Sequence, residues 1–225
     1  MSLFDRNTMS KNLNILVLLC VILFFNHALG KSARYVSCGS VLKLMNSATK
    51  VRLHSHDVKY GTGSGQQSVT GVEEKDDGNS HWVVKAENGK QCTRGEPIQC
   101  GSIIRLEHLS TNKNLHSHLF PSPISNKQEI SAYGSNGVGD TGDNWKLICD
   151  GSFWDRKGEV SFQHIDTDVY LGVSGRQFGR PISGQAEVIG DFSISSSSQW
   201  LAMEGLFIHK NEFDSRTVSH DPSEL

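Results

Sequence analysis

Proline is scarce, at 5 of 225 residues, and no window is a block of lysine and arginine. A protein that grips nucleic acid through its phosphates needs such a basic stripe. With a formal net charge of −2, nucleic-acid binding is therefore not expected. There is no C-x-x-C pair to found a zinc site, and no Asn-x-Ser/Thr sequon to carry an N-linked glycan. Enzyme motifs fail on inspection. Asp140-Thr141-Gly142 has no second copy with which to form an aspartic dyad, and Gly61-x-Gly63-x-Gly65 leads into no helix that would cradle a phosphate. A Gly-x-Ser-x-Gly elbow is also missing. No catalytic residue, cofactor or metal is expected.

What is present begins with a leader. Arg6 and Lys11 precede an apolar run over residues 15–25, which is eleven residues and too short to span a bilayer as a helix. Ala28 and Gly30 then place small residues three and one before a cut at Lys31. This layout predicts a secretory signal peptide over residues 1–30, and no later segment is apolar enough to enter a membrane. The expected setting is the lumen of the secretory pathway or the exterior.

The remainder repeats itself. Residues 36–56 (VSCGSVLKLMNSATKVRLHSH) match residues 98–118 (IQCGSIIRLEHLSTNKNLHSH), and residues 156–174 form a weaker third copy. Leu53, Leu115 and Leu171 are followed by Trp82, Trp145 and Trp200 after 29, 30 and 29 residues. Gln67, Gln128 and Gln185 follow the same leucines by 14, 13 and 14. Each copy reads as four short strands with polar turns between them, and no amphipathic helix is evident. Units of 33–87, 95–150 and 151–205 are each too small to bury a secure core alone. Twelve strands with pseudo-threefold repetition, closed so that no sheet edge is left exposed, predict an all-β fold, the β-trefoil, as one domain over 31–205 with a polar tail at 206–225. The recurring Leu and Trp are then core.

Four cysteines follow the leader: Cys38, Cys92, Cys100 and Cys149. An even number in an oxidising compartment predicts two disulfides. Cys38 and Cys100 hold the same place in the first two copies, while the third has Arg156 there. First and fourth strands of a trefoil repeat are neighbours, which favours Cys38–Cys92 and Cys100–Cys149. The competing scheme joins Cys92 to Cys100 across CTRGEPIQC.

LHSHDVKYGTGSGQQSVTGV, CGSIIRL, NLHSH and GRPISGQ together resemble the stromal cell-derived factor 2 family, built of three MIR repeats. The resemblance implies a small endoplasmic-reticulum protein that associates with a J-domain co-chaperone and a BiP-type chaperone, limits aggregation of unfolded clients and takes part in the unfolded-protein response. MIR repeats also occur in protein O-mannosyltransferases, so an alternative is a lectin-like module for O-mannosyl or related glycans.

The candidate ligand or partner surface is His54, His56, Tyr60, His116 and His118. Residues i and i+2 of a strand share a face, so each His-Ser-His presents two imidazoles together. Two imidazoles without a third ligand make a poor metal site, and the third copy has Gly172 and Ser174 instead. These histidines are expected to be polar surface or cap residues lining a groove. Tyr60, Tyr133 and Phe178 are candidate sugar platforms, although Tyr133 breaks the spacing of the other two. The acidic stretch 73–77 is expected to be solvated. The chain ends Pro222-Ser223-Glu224-Leu225, whose Glu-Leu matches the end of a lumenal retrieval signal while Pro222 and Ser223 depart from it.

Overall fold

A computed structural model describes residues 34–210. The leader, most of the tail and Pro222 to Leu225 lie outside the described residues. Twelve strands follow one another with only single 3-10 turns between some of them. The first group is β1 (Val41–Asn46), β2 (Arg52–Lys59), β3 (Gln67–Val72) and β4 (Trp82–Ala86). The second is β5 (Ile103–His108), β6 (Lys113–Pro121), β7 (Gln128–Tyr133) and β8 (Trp145–Cys149). The third is β9 (Val160–His164), β10 (Tyr170–Gln177), β11 (Ala186–Asp191) and β12 (Trp200–Leu206).

First and fourth strands close a ring: β1 pairs β4, β4 pairs β5, β5 pairs β8, β8 pairs β9, β9 pairs β12, and β12 returns to β1. The second and third strands of each group form hairpins. Their third strands pair with one another, β3 with β7, β7 with β11 and β11 with β3. Closure of this kind gives every ring strand two neighbours, which removes the free edges that would otherwise recruit another chain.

The core follows from the repeated residues. Trp82, Trp145 and Trp200 are fully buried, and each indole N–H donates to the backbone carbonyl of Leu53, Leu115 or Leu171 at 2.9 Å. An indole inside a protein needs that acceptor, and the fixed spacing of Leu and Trp supplies it in every group. The turns after the first strands also repeat, with Lys50, Asn112 and Asp168 at φ 63°, 52° and 60°. Asn is at ease in this left-handed region, whereas Lys pays a modest conformational penalty. At the far end of the ring the backbone makes a cycle. Val36 N–H donates to Trp154, Trp154 to Ile98 and Ile98 back to Val36, at 2.9, 2.9 and 3.0 Å.

Contacts between groups are also cyclic. His108 Nε2 meets the carbonyl of Asn79, and His164 Nε2 meets that of Gly142. Asn46 Nδ2, in the equivalent place, donates to the Ser197 and Gln199 carbonyls and so ties the first group to the third. Gln67 Nε2 reaches Thr111 Oγ1, and Gln128 Nε2 reaches Thr167 Oγ1. Strand register corrects one alignment here. Leu53, Leu115 and Leu171 face Gly71, Ala132 and Gly190, so the third counterpart of Gln67 and Gln128 is Ala186, not Gln185. The β10–β11 hairpin is one residue longer than β2–β3 and two longer than β6–β7, which shifts Gln185 out of place, where its Oε1 accepts from Thr70 Oγ1 instead.

The disulfides are Cys38–Cys92 and Cys100–Cys149, spanning 54 and 49 residues. Each joins the entrance of a first strand to the exit of the fourth strand paired with it. In the third group Arg156 stands at the cysteine position, with its guanidinium 3.5 Å from the Phe207 ring centre.

Candidate functional site

The two His-Ser-His motifs lie on β2 and β6. Alternation places His54 beside His56 and His116 beside His118, while Ser55 and Ser117 point the other way and donate to the carbonyls of Ser68 and Glu129. In the first group His54 Nε2 lies 2.6 Å from His56 Nδ1, and His54 Nδ1 lies 2.8 Å from the Asp77 carboxylate. Ser80 Oγ donates to the same Asp77 oxygen. Burial raises the Asp77 pKa, but the bonds from Ser80 and His54 outweigh it and hold the carboxyl below its usual range. Burial, then the neighbouring His54, lowers His56 below the ordinary histidine value.

The second group builds the same chain with different parts. His116 Nε2 lies 3.2 Å from His118 Nδ1, and His116 Nδ1 lies 2.9 Å from Asp143 Oδ1. Asp143 stands where the first group has Ser80, and Asp140 where it has Asp77. Asp143 is fully buried, and its Oδ2 accepts from Asn114 Nδ2 and the Asp140 backbone N–H. His116, Asp140 and Asp143 offer ligand atoms within 4.8 Å of one another, the spacing of a metal site. Both Asp143 oxygens nevertheless already face N–H donors or the imidazole, so the hydrogen bonds account for this cluster without a cation.

Several expectations change. His54 and His116 are buried, at 4% and 3% exposure, so they are internal links and only His56 and His118 reach the rim. Tyr60 is not a surface residue. It is 7% exposed, with its hydroxyl donating to the Val69 and Ile130 carbonyls, and burial raises its pKa above the usual phenol range. Phe178 lies against it, with ring centres 6.3 Å apart. The place equivalent to Tyr60 and Phe178 in the second group is Ser122, because the amide of each of these three closes the hairpin onto Gln66, Lys127 or Gln185. Asp77 belongs to the histidine chain, so the acidic stretch 73–77 is not solvated throughout.

Tyr133, out of step with Tyr60, proves to be the more informative ring. It stacks on His116 at 4.7 Å, His116 meets His118 at 4.9 Å, and His118 meets Phe120 at 4.7 Å. Tyr133 and Phe120 are 38% and 42% exposed. Beside them Lys113, Tyr133, Gly134, Ser135, Val138 and Gly139 line an open cleft of about 420 Å³. The register puts Val58 and Val72 at these ring positions in the first group, and Arg176 and Asp191 in the third. The sequence spacing missed Asp77, Asp143, Phe120 and Tyr133 as one site. Asp77, five residues before Trp82, and Asp143, two before Trp145, were marked only by that nearness to the repeated tryptophan.

Comparison with known proteins agrees with this frame. The MIR domain model matches residues 34–152. A stromal cell-derived factor 2-like protein 1 of Bos taurus is 53% identical over 192 residues, covering 85% of this chain and 87% of the relative. The crystal structure of the SDF2-like protein from Arabidopsis thaliana superposes with a TM-score of 0.76 at 46% identity, over 79% of this chain and 99% of that one. The Saccharomyces cerevisiae protein O-mannosyltransferase Pmt1-Pmt2 complex bound to the sugar donor matches with a TM-score of 0.70 at 25% identity, over 82% of this chain but 28% of the enzyme chain. With the repeated His-Ser-His strands, the two disulfides and the family match in agreement, this chain belongs to the stromal cell-derived factor 2 family of MIR-domain proteins.

Proposed function

We propose that this chain is a non-catalytic β-trefoil that binds proteins in the lumen of the endoplasmic reticulum. It would act there with a J-domain co-chaperone and a BiP-type chaperone on unfolded clients, in protein quality control and the unfolded-protein response. The observation that carries this reading is family membership over 85% of the chain. The trefoil assignment is supported by the six-strand ring and by the three hairpins whose third strands pair with one another. Protein binding is supported by apolar side chains on the surface of a disulfide-linked fold, among them Leu119, Val138 and Phe192, each at least 72% exposed. Single exposed apolar residues are ordinary, but Leu119 and Phe120 follow His118 on β6, and Val138 lines the cleft with Tyr133, whose ring packs on His116.

Purification of the mature protein from its own secretory compartment, followed by mass spectrometry, tests the reading. A J-domain protein and a BiP-type chaperone as the dominant partners support it. Glycoproteins released by free mannose as the dominant partners overturn it in favour of glycan recognition, the second reading. The ring ladder from Tyr133 to Phe120 and the resemblance to a module of the yeast mannosyltransferase favour that second reading. For residence, deleting residues 222–225 is expected to raise the secreted fraction. An unchanged ratio of retained to secreted protein would remove retrieval by this terminus.

A further inference from the structure

Asparagine is followed by glycine twice in the chain, at Asn88-Gly89 and Asn136-Gly137. Glycine sets no side chain in front of its own amide nitrogen, so that nitrogen can close on the side-chain carbonyl of the asparagine before it. The dipeptide is the same at both places, but the structure surrounds it in opposite ways.

Asn136-Gly137 is the middle of a tight hairpin turn, at φ 50° and 73°, with Ser135 and Val138 bonded to each other in both directions at 2.9 Å. Gly137 is buried, and its N–H donates to the Asn112 carbonyl at 2.7 Å. Its own carbonyl accepts from Arg105 Nη1 at 3.0 Å, so both of its peptide groups are pinned. A Cβ placed on Gly137 would strike Glu107 and Lys85. To attack Asn136, the Gly137 nitrogen would have to give up the Asn112 carbonyl from inside the fold.

Asn88-Gly89 sits in the turn that leaves β4. The corners of this turn hold: Lys90 N–H donates to the Glu87 carbonyl at 3.0 Å, and Lys90 Nζ lies 2.8 Å from the Glu87 carboxylate. Asn88 N–H donates to Asn144 Oδ1 at 2.8 Å, across the seam to the second group. The middle of the turn is open. Gly89 is exposed at φ 76°, and a Cβ placed on it would meet nothing within 4 Å. Among the described residues, no group bonds the Gly89 N–H or the Asn88 side-chain amide.

We propose that Asn88 is a site of spontaneous deamidation and isoaspartate formation in the folded protein, and that the fold protects Asn136 from the same reaction. The Gly89 nitrogen, on losing its proton, forms a bond to Asn88 Cγ. The bond from Cγ to Nδ2 breaks, and ammonia leaves with the proton, giving a cyclic imide. Water then opens the ring. Addition at Cγ returns the ordinary chain with aspartate, whereas addition at the backbone carbonyl leaves the chain running through Cγ as isoaspartate. Either product sets a new carboxylate beside Glu87, and the second also adds a backbone carbon between β4 and Cys92. An isoaspartyl carboxylate is the group that S-adenosylmethionine-dependent repair methyltransferases esterify, so that class of enzyme would take the aged protein as substrate. The inference is independent of the proposed binding function.

The folded mature protein, held at mildly alkaline pH and followed by peptide mapping with mass spectrometry, tests this. Conversion at Asn88 is expected about tenfold faster than at Asn136, the rate equivalent of one hydrogen bond. In urea the two sites should convert at comparable rates, since the bonds that separate them are gone. Equal rates in the folded protein, faster conversion at Asn136, or the same inequality persisting in urea each overturn the proposal. Methyl transfer from S-adenosylmethionine by an isoaspartyl methyltransferase should rise with conversion at Asn88. It should fall in N88Q, whose longer side chain closes the ring far more slowly, and undiminished methylation of N88Q overturns the assignment of the site.

Discussion

The first two repeats and the third are built on one frame and finished differently. All three keep the buried tryptophan, its bond to the leucine carbonyl at 2.9 Å, and the same strand register. The third has shed the disulfide, the histidine pair and the glutamine that reaches a neighbour's threonine. The parts common to all three serve the core and the closure of the ring. The parts that vary lie at the rim, where they cross-link one repeat or equip it for a ligand. Frame and fittings are therefore separable, and an argument about function belongs to the fittings of one repeat at a time.

The sharpest way to break that comparison is to attack the frame in each repeat. Replacing Trp82, Trp145 or Trp200 with alanine should cost about 3–5 kcal/mol in each case, by denaturant unfolding, since each leaves a core cavity and an unpaired carbonyl. A much smaller loss at Trp200 would show that the third repeat is not held as the others are. The fittings come next. Replacing Cys38 and Cys92, or Cys100 and Cys149, with serine pairs should cost about 2–5 kcal/mol each. The two losses should be alike, because the closed loops span 54 and 49 residues. Clearly unequal losses would assign one bridge a role beyond chain restraint.

Acid should separate two carboxylates that face opposite ways in energy. Asp77 titrates below its unfolded value of 3.8, so the stability it lends is present above that pH and lost as pH falls through the folded value. Burial raises Glu129 above its unfolded value of 4.5 despite bonds from Ser64, so its contribution is full below that pH and lost as pH rises through the folded value. D77N should therefore flatten the acid limb of thermal stability, while E129Q should flatten a decline on the other side. Matching changes in both variants would contradict these assignments. The smallest effect is expected at the glutamines. Q67A and Q128A should each cost about 1 kcal/mol in chemical unfolding, the worth of a buried side-chain bond. No loss in either would mean that these inter-repeat bonds are incidental.

Legibility in the sequence divided along the same line. The frame could be read because its residues recur at fixed spacing, so Leu53, Leu115 and Leu171 announced both the strands and the core. The disulfide pattern followed from Cys38 and Cys100 sharing a position. The site was harder, because its members come from separate elements. Asp143 and His116 are 27 residues apart and meet only when the 3-10 turn at Thr141–Asp143 folds back on β6. Tyr60 misled because spacing reports place along the chain and not which face of a bulged strand is inward. Gln185 misled for a related reason, one inserted hairpin residue being enough to move a side chain out of its series.

The backbone cycle of Val36, Trp154 and Ile98 carries a consequence about number. Each residue gives a hydrogen to one neighbour and takes one from the other, so the cycle as built is complete with one residue from each of the three groups. Taking one of the three away leaves one amide and one carbonyl of the other two without the partner they have here. Side chains play no part in these bonds, yet Val36, Ile98 and Trp154 are all buried in the core, so packing constrains the same three positions a second time. Deletion of a single repeat therefore breaks two of the three bonds at once.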